Sequence, residues 1–121
     1  MPEPRITLRR PADPPVAGAR RVLVDRIWPR GVKKEQLGAD LWLRDLAPSD
    51  ELRTWFGHRP ERWEEFRRRY REELAAQDGK LRELRGRARA GTLTIVYGAR
   101  DTEHNDAVVL AELLRRRTRS R

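Results

Sequence analysis

The fold is decided by Val22-Leu23-Val24-Asp25-Arg26-Ile27-Trp28-Pro29-Arg30-Gly31. Its first three residues are apolar and two of them are β-branched, a pattern that predicts a strand covered on both faces, as in parallel sheets. Pro29 cannot donate a hydrogen bond to a sheet, and Pro-Arg-Gly is typical of a turn. The strand therefore ends in a basic turn that also carries an acid and an indole.

Strand and helix patterns alternate along the rest of the chain. Thr92–Tyr97 reads as a second strand that leads through a polar turn into a helix over about 103–117, and Ile6–Leu8 is a shorter strand before a proline-rich loop. Further helices are predicted at about 33–37, 50–56 after a Ser49 cap, 60–77, and 80–90 after Gly79. This alternation predicts an α/β fold with a mostly parallel sheet.

Length and composition limit the class of protein. A chain of 121 residues is long enough for a single domain, 1–121, and too short for two. It has no cysteine, so no disulfide or thiolate metal site is possible. Neither a signal peptide nor a membrane-spanning run is visible, and we expect a cytoplasmic protein that does not bind membranes.

The chain is strongly basic. Its 28 Lys and Arg against 19 Asp and Glu give a formal charge of +9, which favours phosphate-bearing partners, either a small molecule or nucleic acid. All the cations except Lys33, Lys34 and Lys80 are arginine, so a coding bias toward arginine is an equally valid explanation. Arginines also crowd the C-terminus, where we expect a frayed basic tail.

Ligands of parallel α/β sheets bind beyond the carboxyl ends of the strands. If the two main strands are neighbours, their polar ends converge into one pocket. In this hypothesis Asp25, Asp101 or His104 transfers a proton and Asn105 orients the ligand. The cations Arg26, Arg30 and Lys34 hold phosphate, and Trp28, Trp42 or Tyr97 provides a stacking wall.

Each of these assignments has a structural alternative. Asp25 and Arg26 can form an ion pair at the strand end, and Asp101 or Thr102 can cap the last helix. Trp28 and Trp42 can be ordinary packing residues.

Several familiar sites are absent from the sequence. Serine occurs only at Ser49 and Ser120, which excludes a serine triad, and no glycine-rich dinucleotide or P-loop motif is present, so no cofactor is expected. The two histidines, His58 and His104, fall in separate segments, with His58 in an interhelix turn, and no metal site is expected.

Several motifs spread along the chain occur together in one known family. They are Val24–Gly31, Lys34, Trp42, Pro48-Ser49-x-x-Leu52-Arg53, Phe66-x-x-x-Tyr70, Leu93–Tyr97 and Asn105-x-Ala107. In these residues the chain resembles the YeaO-like family of domains of unknown function, the DUF488 family. The resemblance implies a compact, Rossmann-like α/β sandwich and little about a reaction. Broader relatives carry a Cys-His-Arg element at the start of the last helix, where this chain has Glu103-His104-Asn105, so their thiol chemistry is not implied here.

Three functions are therefore open. The leading one is a strand-end pocket for an anionic ligand, a nucleotide or a nucleic-acid fragment, with catalysis undecided. The second is a non-catalytic nucleic-acid-binding module that uses the basic helix near Arg82–Arg89 and the C-terminal arginines. The third is a protein-interaction domain built on Trp55 and Trp63.

Overall fold

The computed structural model describes residues 3–116, and within them the chain forms a four-stranded sheet. The strands are β1 Ile6–Arg9, β2 Arg20–Leu23, β3 Leu41–Trp42 and β4 Leu93–Val96. All pairings are parallel, and the order is β1-β4-β2-β3. Val22 pairs with Ile95, which places the two main predicted strands side by side. The predicted α/β fold is therefore confirmed.

The helices follow the predicted sequence of elements. Short 3-10 turns at Arg44–Leu46 and Pro60–Arg62 precede α2 and α3. No helix within residues 3–116 is long and apolar enough to cross a membrane. The predicted C-terminal tail falls mainly outside the described residues. The helices are α1 Lys34–Leu37, α2 Asp50–Phe56, α3 Trp63–Ala75, α4 Asp78–Ala90 and α5 Asp106–Arg115.

One face of the sheet, called here the thick face, packs against α2 to α5. Val22, Val24 and Ile95 project from the sheet into a core that contains Phe66 and Leu110. All five side chains are at most 2% exposed. Most of the apolar burial that stabilises the fold therefore lies on this side.

The opposite face, called the thin face, is covered by the one-turn helix α1 and the proline-rich loop over 10–19. Leu23, Leu37 and Val96 form a small separate cluster there. Beside it lies Arg21, only 5% exposed, whose Nε donates to the Leu37 carbonyl at 2.7 Å and whose guanidinium also donates to the Pro11 carbonyl at 3.2 Å. A buried cation thus attaches both covering segments to the sheet.

Helix starts show where the sequence prediction holds and where it is wrong. Ser49 caps α2 as expected, because its Oγ accepts from the Leu52 backbone N–H at 3.1 Å. The helix predicted from residue 80 instead begins at Asp78, so Gly79 lies inside its first turn. Glycine can adopt helical dihedrals, and near a helix end it destabilises the helix only slightly. The helix therefore extends through Gly79 to Asp78.

Candidate functional site

The carboxyl ends of β2 and β4 meet at a cavity of about 180 Å³ on the thick-face side. The predicted convergence brings Asp25, Arg26, His104 and Asn105 to its wall. Residues from α2, α3, the start of α5 and the loops beside them complete the lining. These are Ile27, Pro48, Arg53, Phe56, His58, Phe66, Ala99 and Asp106.

Two carboxyl groups form the acidic part of the wall. Asp25 and Asp106 are hydrogen-bonded to each other, and Asp25 Oδ2 also accepts from the Gly98 backbone N–H at 2.6 Å. Burial raises the pKa of Asp25, and burial together with the Asp25 charge raises the pKa of Asp106 well above its usual range. The pair therefore retains a proton to higher pH than an isolated carboxyl group does.

Gly98 lets the Asp25 carboxylate approach the end of β4. A Cβ atom at this position would lie 2.9 Å from Asp25 Oδ2, closer than such atoms are found. Any larger residue would push the carboxylate away from the backbone N–H that it accepts from. The glycine immediately after the strand is thus part of the architecture of the acid pair.

His104 lies on the same wall and is oriented by Asp101. Its Nδ1 is 2.9 Å from Asp101 Oδ2, and its ring packs edge-on against Trp63 at a centroid distance of 5.0 Å. Asp101 also accepts from the Glu103 and His104 backbone N–H groups. The Glu103 N–H and then His104 lower the pKa of Asp101. Asp101 therefore acts here by positioning the imidazole.

Asn105 caps α5, so the predicted capping by Asp101 or Thr102 is wrong. Its Oδ1 accepts from the Val108 N–H at 3.0 Å, and its Nδ2 donates to the Asp101 carbonyl at 2.9 Å. Asp101 instead accepts hydrogen bonds from backbone N–H groups in the turn that precedes the helix. Because both amide atoms of the 3% exposed Asn105 are already paired, its observed role is to fix the helix start.

His58 was missed as a site residue because it was assigned to a separate interhelix turn. Gly57 and His58 both have left-handed backbones, with φ of 52° and 56°, and this turn brings the imidazole to the same cavity as His104. The Gly57 helix end was the available signal, since a left-handed C-cap redirects the chain. Even so, no three His, Asp or Glu side chains among the described residues are grouped as a metal site requires.

Two arginines stand at the outer rim. Arg26 and Arg53 share Asp50, at 3.5 and 3.3 Å, so the alternative Asp25–Arg26 ion pair is replaced by a pair with Asp50. The side chains of Arg26 and Arg53 are 34% and 45% exposed, whereas Phe66 is 2% exposed. The cavity is thus cationic at its mouth and acidic and aromatic inside.

The other predicted ligand contacts lie outside this cavity. Tyr97 is buried in the thick-face core, where burial raises its pKa, and Trp28 packs on the thin-face cluster and donates to the Val32 carbonyl at 2.6 Å. Trp42 donates to the Asp25 backbone carbonyl at 2.7 Å and is not part of the cavity lining. Arg30 and Lys34 are exposed on the segment that crosses to the thin face. The turn at Pro29 therefore divides the predicted site in two.

The residues on which the other two hypotheses depend mostly contact other residues of the chain. On α4, Arg82 and Arg87 pair with Asp78 and Glu83, while Arg85 donates to the Leu113 carbonyl at the end of α5. These pairings reduce the free positive charge available on that helix.

The two tryptophans proposed as a partner surface are partly buried. Trp55 is covered by Arg62 and Arg69, whose guanidinium carbons lie 5.0 and 4.4 Å from its ring centre. Trp63 packs between His104 and Phe66. Both indoles thus already have partners within the chain.

Comparison with known proteins identifies the family. Residues 5–121 match a family described as the inactive DUF488-N3 subclade. An uncharacterized protein of Mycobacterium tuberculosis is 48% identical over 96 residues, which is 78% of this chain and 79% of the relative. The uncharacterized protein YeaO of Escherichia coli is 42% identical over 95 residues, 78% of this chain and 83% of YeaO. No solved structure matches significantly. The predicted resemblance is confirmed, and the chain belongs to the YeaO-like DUF488 family.

Proposed function

We propose that the protein binds a nucleotide, free or at the end of a nucleic acid, in the strand-end cavity and holds it without turnover. The observation that carries this proposal is the arrangement of the cavity, with a proton-sharing carboxyl pair and an aromatic wall inside and two arginines at the mouth. A ligand that matches it needs a planar polar ring at one end and an anion at the other.

The size of the cavity supports enclosure of one end of such a ligand. Its volume of about 180 Å³ is smaller than the roughly 300 Å³ at which pockets for drug-sized molecules begin. Asp25 and Asp106 would repel a phosphate group placed between them. A nucleobase edge, in contrast, presents neighbouring donors and acceptors, which suit one protonated and one ionised carboxyl group. The base therefore occupies the inner part, against Phe56 and Phe66.

The phosphate then lies at the rim. Arg26 and Arg53 are both held by Asp50, and Arg26 Nε also donates to the Pro48 carbonyl at 3.2 Å. Each guanidinium has five N–H donors, so these tethers restrict the side chain and leave donors for an anion. Restraint of this kind lowers the ordering cost of binding.

Binding without turnover agrees with the chemistry available. The chain has no cysteine, and Ser49, the only serine among residues 3–116, donates to Glu73 Oε2 at 2.6 Å while capping α2. The word "inactive" in the description of the matched family points the same way. A cytoplasmic location, expected from composition, agrees with a nucleotide ligand.

Calorimetric titration tests the proposal. AMP, GMP, CMP and UMP are compared with their nucleosides, with ribose 5-phosphate and with inorganic phosphate. We expect at least one monophosphate to bind about tenfold tighter than both its nucleoside and ribose 5-phosphate, because it alone engages both ends of the site. A short oligonucleotide with a 5′-phosphate distinguishes a nucleic-acid end from a free nucleotide. Chromatography after incubation should recover the nucleotide unchanged.

Two variants assign the phosphate contact. Arg53→Gln should move monophosphate affinity toward that of the nucleoside, with Arg26 still present at the rim, whereas Arg59→Gln, which changes an exposed arginine outside the cavity lining, should leave it unchanged. Equal binding by wild type and Arg53→Gln, or no binding by any compound, would refute the site. Appearance of a product would refute the absence of turnover.

A further inference from the structure

A second surface lies where β2 and β3 end beside the thin face. Ile27, Leu41 and Trp42 are the large apolar residues that stand exposed among residues 3–116, at 58%, 37% and 37%. Leu41 and Trp42 are consecutive residues of the edge strand β3, and Trp28 packs edge-on against Trp42 at 5.3 Å, whereas Ile27 lines the mouth of the strand-end cavity. We call the patch formed by Leu41, Trp42 and Trp28 the tryptophan edge. Clustered exposed apolar residues of this kind typically mark an interaction site.

The tryptophan edge is bordered by cations without acidic partners. Arg30, Lys33 and Lys34 are exposed, and no side-chain ion pair or hydrogen bond of theirs is found within the described part of the chain. These three cations lie in the segment that contacts Trp28, because the Trp28 indole donates to the Val32 carbonyl. A fourth cation, Arg44, lies 4.7 Å from the Trp42 ring centre.

The surface of α3 shows that free cations are not general in this chain. There Arg68 lies 2.7 Å from Glu65 and 2.5 Å from Glu72, and Arg69 lies 2.8 Å from Glu65. Positive charge on that helix is balanced by carboxylates three or four residues away. Beside the tryptophan edge the same segment carries one exposed acid, Glu35, which forms no ion pair with Arg30, Lys33 or Lys34, so a net positive charge is available to an acidic partner.

From this charge complementarity we propose that the tryptophan edge docks an acidic peptide segment that carries one or two bulky apolar side chains. The apolar side chains would cover Leu41 and Trp42, and the acidic ones would pair with Arg30, Lys33 and Lys34. A peptide fits better than single-stranded nucleic acid, because stacking needs a free aromatic face. Arg44 already lies over the Trp42 ring, and Trp28 is partly buried against the thin-face cluster.

Selection from a display library of random 12-residue peptides on the intact protein tests this proposal. We expect the enriched peptides to combine acidic residues with at least one bulky apolar residue. When such a peptide is labelled and followed by fluorescence anisotropy, Leu41→Ser and the double variant Lys33→Glu/Lys34→Glu should each weaken binding at least about tenfold, as loss of a central contact does. These positions are exposed, so thermal unfolding should confirm that the variants fold.

The matched control is the double variant Arg5→Glu/Arg20→Glu. It makes the same charge change at two exposed arginines at the amino ends of the strands, and it should leave peptide affinity within about twofold at 0.15 M salt, where distant charges are screened. Failure to enrich acidic apolar peptides, or equal weakening by both double variants, would overturn the proposal. A 12-residue oligo(dT) that displaces the labelled peptide and binds with higher affinity than any peptide would overturn it in favour of nucleic acid.

Discussion

The two faces of the sheet are stabilised by different physical means. On the thick face, four helices bury a continuous apolar core around Phe66, Tyr70 and Leu110. On the thin face, one helical turn and a proline-rich loop are attached by hydrogen bonds from Arg21. The first face depends on apolar area and close packing, and the second depends on one cation whose Nε and Nη2 donate to backbone carbonyls.

This difference separates the two candidate surfaces. The cavity forms on the thick face, where large helices hold Phe56 and Asp106 in fixed positions. The tryptophan edge forms beside the thin face, where too little chain is present to cover Leu41 and Trp42. A well-covered face thus encloses a pocket, and a sparsely covered one leaves an open patch.

The largest effect is expected from truncation in the thick-face core. Leu110 is fully buried on α5, so Leu110→Ala should lower the free energy of unfolding by about 2–5 kcal/mol through lost transfer energy and a residual cavity. Urea unfolding followed by tryptophan fluorescence measures the change. A loss below that range would show that the thick face is less tightly packed than its burial indicates.

A smaller and more local effect is expected on the thin face. Arg21→Met keeps much of the aliphatic stem but removes the donors to Leu37 and Pro11, at a cost of about 1–3 kcal/mol for the carbonyls left without partners. Hydrogen exchange should accelerate mainly over 10–19 and 34–38. Uniform acceleration across α3 and α5 would contradict the separation of the two faces.

The acid pair of the thick-face cavity predicts an effect of pH. Since the pKa of Asp106 is raised in the folded state, its contribution to stability is present at low pH and is lost as pH rises above the ordinary carboxyl value of about 4. Asp106→Asn should remove this loss and raise Tm at pH 7.5 by about 3–6 °C, the change that roughly 1 kcal/mol produces in a domain of this size.

Asp101→Asn is the control of opposite sign. The pKa of Asp101 is lowered, so its contribution is present at neutral pH and disappears as pH falls. Its replacement should therefore lower Tm at neutral pH and not at low pH. A wild-type stability that rises steadily between pH 5 and 8 would contradict the assignment of the acid pair.

The smallest effect belongs to the outer surface of α3. Although Arg68 and Arg69 lower the pKa of Glu65 to about 2, all three side chains face solvent, which screens their interaction. Glu65→Gln should leave Tm within about 1 °C of wild type in a scanning calorimeter. A clear drop in Tm would mean that surface ion pairs, in addition to packing, contribute to the stability of the thick face.

Sequence patterns located most of the fold because each main element carries a local signal. The apolar run at Val22–Val24, the Ser49 cap and the three- and four-residue spacing of Phe66, Tyr70 and Leu74 are all readable without tertiary information. The local patterns do not show that β2 and β4 are neighbours, and the predicted pocket depends on that pairing. The register of the two strands, in which Val22 pairs with Ile95, establishes it.

The site was harder to predict because its partners are distant in sequence. Asp106 reads as an ordinary acid in the first turn of a helix, and only the packing of α5 shows that it meets Asp25. Likewise, no local pattern shows that the turn at Pro29 places Arg30 and Lys34 beside the thin face. Pairings that depend on how elements pack cannot be read from local periodicity.

The strand order also has a consequence for how the chain folds during synthesis. β1 and β2 are both made early, yet each pairs with β4, whose residues Leu93–Val96 lie between them. Until β4 leaves the ribosome, these two strands lack their shared neighbour and their apolar sides stay uncovered. Such late, non-local pairing slows folding and exposes the nascent chain to aggregation. Fragments that end before Leu93 should therefore need chaperones to stay in solution, however complete their helices are.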